Sequence, residues 1–334
     1  MSDNNGSLLR IEDLKTHFFT ADGVVRAVDG VSFEIAPGQT LGLVGESGCG
    51  KSVTAFSILQ IVGRPGRIVS GRVLFHRPLR GTGDTTEVVD LAALHPRGEE
   101  MRQVRGGEIA MIFQEPMSSL SMMHTVGFQI EEALHLHSQI SRQDAHDKAI
   151  EMLGRVGIPR PEERVNAYPF ELSGGMRQRA MIAMALCCNP SLLIADEPTT
   201  ALDVTTQAQI LDLMASLQED LGMAIMLITH DLELAVRFAG SIVVFYAGTT
   251  VEEALAADFA AGPAALRHPY SQALWRALPQ NGFEATAGSQ PHAGTPLPGC
   301  LYAPRCPLMT AACTQQNPPL RALRGGMVRC IHAT

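Results

Sequence analysis

The order of hydrophobic and polar residues near the start of the chain predicts two strands and a helix. Residues 31–35, VSFEI, alternate between apolar and polar side chains, which is the pattern of a half-buried strand. A Pro-Gly pair then turns the chain, and the apolar run at residues 41–44 predicts a fully buried strand. After a glycine-rich stretch, the segment VTAFSILQIV predicts a buried helix that ends at Gly63. This order of elements indicates an α/β core.

Later patterns predict another strand, a helical region and a linker. The apolar run at residues 192–195 leads directly into two acids, which predicts a buried strand with carboxylates at its carboxyl end. Residues 117–172 indicate mainly helix, because Ser141 with Asp144 fits a capping pattern and apolar residues recur at helical spacing after them. Residues 279–299 are rich in Gly, Pro and Ser and lack periodicity, so they predict a loop or linker.

Composition sets broad limits on the class of protein. A chain of 334 residues is too long for one small core and predicts two or three domains. The amino-terminal sequence has no basic stretch followed by an apolar one, and the longest apolar runs are far shorter than the roughly 20 residues that span a bilayer. We therefore expect a cytosolic protein. The formal net charge of −8 comes without a basic run, which argues against a nucleic-acid partner.

The glycine-rich stretch GESGCGKS fits the phosphate-binding pattern G-x-x-x-x-G-K-[ST]. Its glycines let backbone N–H groups converge on phosphates, and the start of the following helix adds favourable partial charge. Lys51 is predicted to reach the β and γ phosphates, and Ser52 to ligate Mg²⁺. A glycine-rich turn without a ligand is the alternative, but the strand before and helix after favour the phosphate loop. The predicted loop residues are Gly45, Glu46, Ser47, Gly48, Cys49, Gly50, Lys51 and Ser52, with Cys49 as a spacer.

Two further segments carry groups suited to phosphate chemistry. Asp196 is predicted to hold Mg²⁺ through water and Glu197 to polarise the attacking water, although paired acids can also cap a turn. A second anion-binding helix start is predicted at Ser173, Gly174 and Gly175, which open a helix rich in Met and Ala. One nucleotide is not easily gripped by two helix starts of a single fold. The pair is explained if the second helix start belongs to another subunit.

The short motifs of the chain and their order resemble those of the nucleotide-binding subunit of an ABC transporter. From the amino terminus onward, they are GESGCGKS, FQEP, LSGGM, LLIADEP, ALD and ITHD. The resemblance implies an α/β P-loop NTPase fold of ABC type with an antiparallel β subdomain and a helical subdomain insertion. It also implies two ATPase subunits that meet head to tail. Each ATP is then held by the phosphate loop of one subunit and the LSGG helix start of the other.

The resemblance assigns roles at the matching positions. Gln114 is expected to contact the metal and the water, Glu197 to be the general base, and His230 to hold the γ-phosphate and position the water. Asp203 is expected to report across the dimer interface. The expected Mg²⁺ ligands are Ser52, Gln114 and Asp196. Two candidates, Phe18 and Phe19, remain open for the aromatic side chain that stacks on adenine.

Longer stretches resemble one branch of the family, the bacterial importers of dipeptides, oligopeptides and nickel. Examples are VGESGCGKSV, AMIFQEPMSSL, TVGFQIEEAL and RHPYSQALWRALP, and the match runs from about residue 8 to residue 330. The chain departs from the branch at residues 120–122, Leu-Ser-Met, where Leu-Asn-Pro is usual. The resemblance implies peptide import, with nickel, another small solute or a soluble non-transport ATPase as alternatives. It also implies two permease subunits, a periplasmic or extracellular solute-binding protein, and a peripheral location at the cytoplasmic side of the inner membrane. Both halves of the composite ATP site are intact, so a homodimer and a heterodimer are both open, and the resemblance favours a heterodimer with a second ABC ATPase.

Four of the seven cysteines lie in the last part of the chain. Their spacing, C-x5-C-x6-C-x16-C, lacks the close pairs of structural zinc sites, while four thiolates suffice for a [4Fe–4S] cluster. The branch carries a similar tail, and the resemblance implies the cluster. Zinc and metal-free thiols remain alternatives. The predicted ligands are Cys300, Cys306, Cys313 and Cys330. The predicted domains are a nucleotide-binding core at 1–116 and 173–278, a helical subdomain at 117–172, a linker at 279–299, and a cysteine-rich metal-binding region at 300–334.

Overall fold

The structure is a computed structural model that describes residues 6–78, 86–114, 119–200, 203–286, 288–291 and 298–334. Its strands are β1 (Leu9–Thr20), β2 (Gly23–Ile35), β3 (Thr40–Val44), β4 (Gly66–Pro78), β5 (Thr86–Asp90), β6 (Ile109–Ile112), β7 (Leu192–Asp196), β8 (Ala224–Ile228), β9 (Ser241–Tyr246), β10 (Thr249–Leu255), β11 (Arg321–Leu323) and β12 (Gly326–Val328). Its α-helices are α1 (Lys51–Ile58), α2 (Glu99–Gln103), α3 (Val126–His137), α4 (Arg142–Arg155), α5 (Pro161–Arg164), α6 (Gly174–Leu186), α7 (Val204–Leu221), α8 (Leu232–Phe238), α9 (Ala256–Ala261) and α10 (Pro269–Arg276).

The chain divides into two compact units. The first contains Met1–Leu94 and Leu227–Thr334, and the second contains His95–Met226. Strand β8 lies across the division in sequence. Within the described ranges, no helix combines the length and the apolar character needed to cross a bilayer. The domain boundaries expected from the sequence remain predictions.

An antiparallel sheet in the first unit has the strand order β2-β1-β4-β5. Strand β1 lies at its centre, with Leu9 opposite Ile35 on one side and Phe75 on the other. The predicted alternation is confirmed at the end of β2, where Val31, Phe33 and Ile35 are buried. Alternating side chains on a strand point to opposite faces, so this pattern places one face of the sheet against the core.

The second sheet of the first unit is mixed. Its strands in this unit follow the order β11-β12-β10-β9-β3, with β3 parallel to β9 and the remaining pairs antiparallel. All five residues of β3 are buried, in agreement with the fully buried strand that the apolar run predicts. Strand β3 leads directly into the glycine-rich loop and α1, so the sheet fixes the position of that loop.

Helix α1 is shorter than the sequence pattern predicts. It ends at Ile58, and Gln60 has a left-handed backbone with φ of 50°. The side chain of Gln60 stabilises this turn, because its Nε2 donates hydrogen bonds to the carbonyl of Leu94 at 2.6 Å and to that of Leu91. The helix therefore ends before the apolar pattern does, which continues to residue 62, because the turn at Gln60 lets its side chain satisfy these two backbone carbonyls.

The second unit combines two parallel strands with helices. Strand β6 pairs with β7 in parallel, with Ile109 opposite Leu192. Side-chain oxygens cap the larger helices: Thr125 caps α3 and Ser141 caps α4, each accepting a hydrogen bond from a backbone N–H three residues later. The predicted capping of α4 is thus confirmed. Every residue of β7 is buried, in agreement with the predicted strand before the two acids.

Candidate nucleotide-binding and hydrolysis site

The phosphate loop of the first unit joins β3 to α1. Gly50 caps α1 with φ of 105°, a left-handed conformation that residues with a Cβ rarely adopt. A Cβ at this position would also lie 2.3 Å from the carbonyl oxygen of Ala27. Glycine is therefore required here, and this close approach lets the loop turn tightly enough to present its N–H groups at the start of α1.

Lys51 lies inside this loop, with 6% of its surface exposed. Its ammonium donates hydrogen bonds to the carbonyl oxygens of Gly45 at 2.8 Å and Glu46 at 3.1 Å, and to Cys49 Sγ at 3.6 Å. These acceptors offset the cost of burying the charge. Burial raises the pKa of the Cys49 thiol, which keeps it neutral. The structure thus places the cation at the centre of the loop and gives Cys49 a packing position.

A carboxylate held by two donors lies at the end of β7 in the second unit. Gln114 Nε2 donates a hydrogen bond to Glu197 Oε2 at 3.0 Å, and Thr200 Oγ1 donates to the same oxygen at 2.9 Å. Asp196, the preceding residue, is only 2% exposed. The structure therefore brings the predicted Gln114 and Glu197 into direct contact. It also adds Thr200, which the sequence did not single out.

The backbone of Glu197 is strained. Its φ is 48°, in the left-handed region, where a residue other than Gly, Asn or Asp is uncommon. Such conformations cost on the order of 1 kcal/mol and occur most often at functional sites. Here the turn directs the chain away from β7 directly after Asp196, and it orients the Glu197 carboxylate toward Gln114.

Two helix starts in the second unit carry the remaining predicted groups. Ser173 caps the 13-residue helix α6 by accepting a hydrogen bond from the N–H of Met176 at 3.3 Å. A Cβ added at Gly174 would meet no described atom of another element within 4 Å, so the helix start is open to an approaching group. Asp203 caps α7 and accepts hydrogen bonds from Thr206 N at 2.9 Å and Thr206 Oγ1 at 2.8 Å, which lower its pKa. Ala201 and Leu202 of the ALD motif, and residues 115–118 after Gln114, lie outside the described residues.

The other predicted residues belong to the first unit. His230 is exposed directly after β8, and Asp231 beside it caps α8. Phe19 is 38% exposed, and the Arg67 guanidinium lies 4.3 Å from its ring centroid. Phe18 is less exposed, and its ring packs beside Gly66. Their roles toward adenine and phosphate remain predictions.

The donor set expected for Mg²⁺ fits this ion in its chemistry. Ser52, Gln114 and Asp196 supply hydroxyl, amide and carboxylate oxygens, the hard ligands that Mg²⁺ prefers. Ser52 is the second residue of α1, while Asp196 ends β7. Each of the three side chains therefore lies on or directly beside an element that fixes its backbone.

The prediction of a metal centre in the C-terminal segment, residues 300–334, is wrong. Cys300, Cys306, Cys313 and Cys330 are free thiols that line one small cavity together with His268 and Tyr302. In the part of the chain that the structure describes, no group of three or more His, Cys, Asp or Glu side chains is arranged to hold a metal ion. The iron–sulfur and zinc predictions both needed such a group.

The surroundings of the thiols give the physical reason for this correction. Metals bind thiolates, but burial raises the pKa of Cys300 and of Cys306 and so favours their protonated forms. The Cys313 sulfur lies 3.5 Å from Thr310 Oγ1 and 3.4 Å from His332 Nε2, so it takes part in a local polar contact. The sequence shows that the four cysteines lie close together along the chain, but it does not show how their thiols are oriented in the fold.

Comparison with known proteins identifies the family. The sequence model of the ABC transporter family matches residues 28–200, and that of the oligopeptide/dipeptide transporter C-terminal region matches residues 251–313. The chain therefore belongs to the ABC transporter family. It is 48% identical over 326 residues to the "probable peptide ABC transporter ATP-binding protein y4tR" of Sinorhizobium fredii, which covers 96% of this chain and 92% of that protein.

A second relative and a solved structure support the same assignment. The chain is 44% identical over 329 residues to the dipeptide transport ATP-binding protein DppD of Haemophilus influenzae, covering 97% of this chain and 95% of the relative. The dimeric structure of a post-hydrolysis state of the ATP-binding cassette MJ0796 bound to ADP and Pi matches with a TM-score of 0.63 and 25% identity, over 74% of this chain and 98% of that one. The predicted α/β P-loop NTPase fold of ABC type, with its antiparallel sheet, is confirmed.

Proposed function

We propose that this protein is the ATP-hydrolysing subunit of an ABC importer that drives uptake of peptides. The observation that carries the proposal is the Glu197 carboxylate, fixed by Gln114 and Thr200 at 3.0 Å and 2.9 Å at the end of a buried strand. A carboxylate held in one orientation is suited to accept a proton from water. The phosphate loop around Lys51 supplies the matching site for the substrate phosphates.

In the proposed reaction, water attacks the γ-phosphate of ATP, and the bond between the β and γ phosphates breaks to give ADP and inorganic phosphate. Lys51 and the N–H groups at the start of α1 bind the phosphates, and Glu197 takes the proton from the attacking water. Bound Mg²⁺, held by Ser52, Gln114 and Asp196, would neutralise charge on the β and γ phosphates. His230 holds the γ-phosphate and the water in line.

The proposed assembly contains a second ABC ATPase and two permease subunits at the cytoplasmic side of the inner membrane, supplied by a solute-binding protein outside. In it, the helix start at Ser173, Gly174 and Gly175 contacts the nucleotide of the second ATPase, and Asp203 lies at their interface. The presence of both a phosphate loop and an LSGG helix start supports this pairing. The names of the relatives, which refer to peptide and dipeptide transport, support the peptide cargo.

Glu197→Gln tests the proposed chemistry. The variant should bind ATP as the wild type does but hydrolyse it at least about 100-fold more slowly, because general-base catalysis typically contributes that much. Glu219→Gln, which changes the charge of an exposed residue on α7 by the same amount, is the matched control. If Glu197→Gln hydrolyses ATP at the wild-type rate, the proposed base is wrong.

Uptake by cells tests the proposed cargo. Cells that lack this protein should lose uptake of labelled dipeptides and oligopeptides, and the wild-type chain should restore it where Glu197→Gln does not. Loss of nickel uptake with peptide uptake intact would contradict peptide cargo while leaving the ATPase assignment in place. ATP hydrolysis with no effect on uptake of any solute would contradict a role in transport.

A further inference from the structure

A side chain from the C-terminal segment reaches the phosphate loop. Arg305 Nη1 donates hydrogen bonds to both carboxylate oxygens of Glu46, at 2.9 Å and 3.1 Å, and to Tyr246 Oη at 3.3 Å. The Arg305 side chain is only 6% exposed, against 32% for Glu46. Charge-assisted hydrogen bonds shielded from water are among the stronger polar contacts in proteins. Such a contact differs from an exposed surface ion pair, which contributes little.

Aromatic rings support the same loop residue from a second direction. The N–H of Glu46 donates a hydrogen bond to Tyr270 Oη at 3.3 Å. Tyr302, three residues before Arg305, packs against Tyr270 and Tyr246 with ring centroids 5.3 Å and 5.2 Å apart. These three tyrosines are buried. The C-terminal segment thus contacts Glu46 directly through Arg305. It also contacts Glu46 indirectly, because Tyr302 packs against Tyr270, whose hydroxyl accepts the hydrogen bond from the Glu46 N–H.

Glu46 in turn contacts the cation of the loop. Its carbonyl oxygen accepts a hydrogen bond from Lys51 Nζ at 3.1 Å. The side chain, the N–H and the carbonyl of this one residue are therefore all held, by Arg305, Tyr270 and Lys51. The phosphate-binding pattern does not require glutamate at this variable position. The shielded contact between Glu46 and Arg305 therefore indicates a role for this glutamate that the phosphate-binding motif does not describe.

We propose that Arg305 is a positioning residue for the phosphate loop: it fixes Glu46, and through it the loop backbone and Lys51, in the conformation that binds nucleotide. The inference rests on the proposed function, because it assumes that the loop binds ATP. A loop that is already ordered loses less conformational freedom when its ligand binds. Loss of the contact therefore weakens nucleotide binding, while the hydrolytic group Glu197 stays unchanged.

The C-terminal segment has other anchors, so the Arg305 contact can be tested without detaching it. Strand β12 pairs with β10, with Val328 opposite Glu252. Arg267 Nε also donates a hydrogen bond to the carbonyl of Leu323 at 2.7 Å. These contacts do not involve Arg305. A change at Arg305 should therefore leave the segment folded.

Nucleotide affinity and steady-state kinetics of the full chain test the proposal. Arg305→Met should raise the Kd for a fluorescent ATP analogue and the KM for ATP about tenfold, which corresponds to about 1.4 kcal/mol, with kcat within about twofold of wild type. Arg305→Lys keeps the charge but loses the paired geometry, and it should show an intermediate Kd. Arg321→Met is the matched control, because among the described residues the Arg321 side chain donates to carbonyls of its own segment, those of Cys330 and Ala333 at 3.2 Å and 2.7 Å.

A double-mutant cycle separates the contact from general damage. Glu46→Gln leaves the C-terminal segment intact and should raise Kd by a similar factor, and the double variant with Arg305→Met should be no weaker than either single one. Additive losses, or a wild-type Kd in Arg305→Met, would overturn the inference. If Arg305→Met does not fold, a wild-type Kd for Glu46→Gln overturns it equally. Absence of ATP binding by the wild type would instead overturn the proposed function, and the inference with it.

Discussion

At the residue scale, the proposed general base is held by contacts to a single carboxylate oxygen. Gln114 and Thr200 both donate to Glu197 Oε2, and the left-handed backbone of Glu197 directs its side chain toward them. Gln114 follows β6, whereas Thr200 lies in the turn that follows Glu197 itself. The local turn and the neighbouring strand thus orient the carboxylate together.

Thr200→Val should lower kcat for ATP hydrolysis about fivefold to tenfold with little change in Kd. The variant keeps the shape of the side chain but removes one hydrogen bond to a charged group, worth on the order of 1 kcal/mol or more. Thr199→Val, the same exchange one residue earlier in the same turn, is the control for loss of a threonine hydroxyl that makes no hydrogen bond to Glu197 among the described contacts. Unchanged kcat in Thr200→Val would show that this hydroxyl does not orient Glu197 during the reaction.

The sequence predicts some of these residues and not others for a physical reason. Binding phosphate requires particular residue types at fixed spacing, so a short motif is enough to predict a role for Lys51. The resemblance of the ordered motifs in the same way predicts roles for Gln114 and Glu197. Arg305 contacts Glu46 across 259 positions of sequence, and only the folded chain brings the two together. The four cysteines led to a wrong prediction because sequence spacing does not specify whether thiols converge as ligands.

At the element scale, helix boundaries follow local polar contacts more closely than hydrophobic patterns. Helix α1 ends before its apolar pattern does, because Gln60 turns and binds the backbone near Leu94. Helix α4 begins where the sequence predicts, because Ser141 accepts the N–H of Asp144 at 3.1 Å and donates to its carboxylate at 2.6 Å. Capping residues are local in sequence and therefore predictable. A turn fixed by a distant carbonyl is not.

Ser141→Ala should lower the free energy of unfolding by about 1 kcal/mol, since it leaves an N–H at the start of α4 without its acceptor. Ser141→Asn supplies another acceptor for the N–H of Asp144 and an amide that can donate to its carboxylate, so it should retain most of the wild-type stability. Urea denaturation followed by circular dichroism measures both, with the effect seen as a shifted midpoint at constant slope. Equal losses in the two variants would mean that the hydroxyl is needed for some contact other than the cap.

At the scale of the whole molecule, the C-terminal segment completes a sheet of the first unit. Strand β12 pairs with β10 and covers what would otherwise be an exposed edge, and β11 pairs with β12 on its other side. Arg267 joins the two parts, with hydrogen bonds to Glu252 Oε1 at 3.3 Å and to the carbonyl of Leu323 at 2.7 Å. The segment therefore adds strand pairing that stabilises the sheet, and through Arg305 it also contacts Glu46 in the phosphate loop.

This unit contains two titratable groups with opposite effects on stability, Glu253, which is partly buried, and His268, which is buried. Burial, with a smaller contribution from Glu34, raises the pKa of Glu253 on β10 from 4.5 to about 7. Burial lowers the pKa of His268, before α10, from 6.5 to about 3. Between pH 4.5 and about 7, the folded state binds the Glu253 proton more tightly than the unfolded chain does, so the free energy of unfolding falls as pH rises. Between pH 6.5 and about 3, the unfolded chain binds the His268 proton more tightly, so the free energy of unfolding falls as pH drops.

Glu253→Gln should therefore make the protein more stable at neutral and alkaline pH. It should also change the response to pH between pH 4.5 and 6.5, where the Glu253 and His268 effects oppose each other in the wild type. Because glutamine has no charge to bury, the gain should reach about 3 kcal/mol near pH 8 and become small near pH 4.5, where the wild-type carboxyl is protonated when folded. In the variant, the His268 effect is no longer opposed by Glu253 between pH 4.5 and 6.5, so the free energy of unfolding of the variant should rise with pH there. Urea denaturation at a series of pH values measures this, with Glu284→Gln as an exposed control in the same unit. A constant difference between Glu253→Gln and wild type at all pH values would show that folding does not shift the pKa of Glu253.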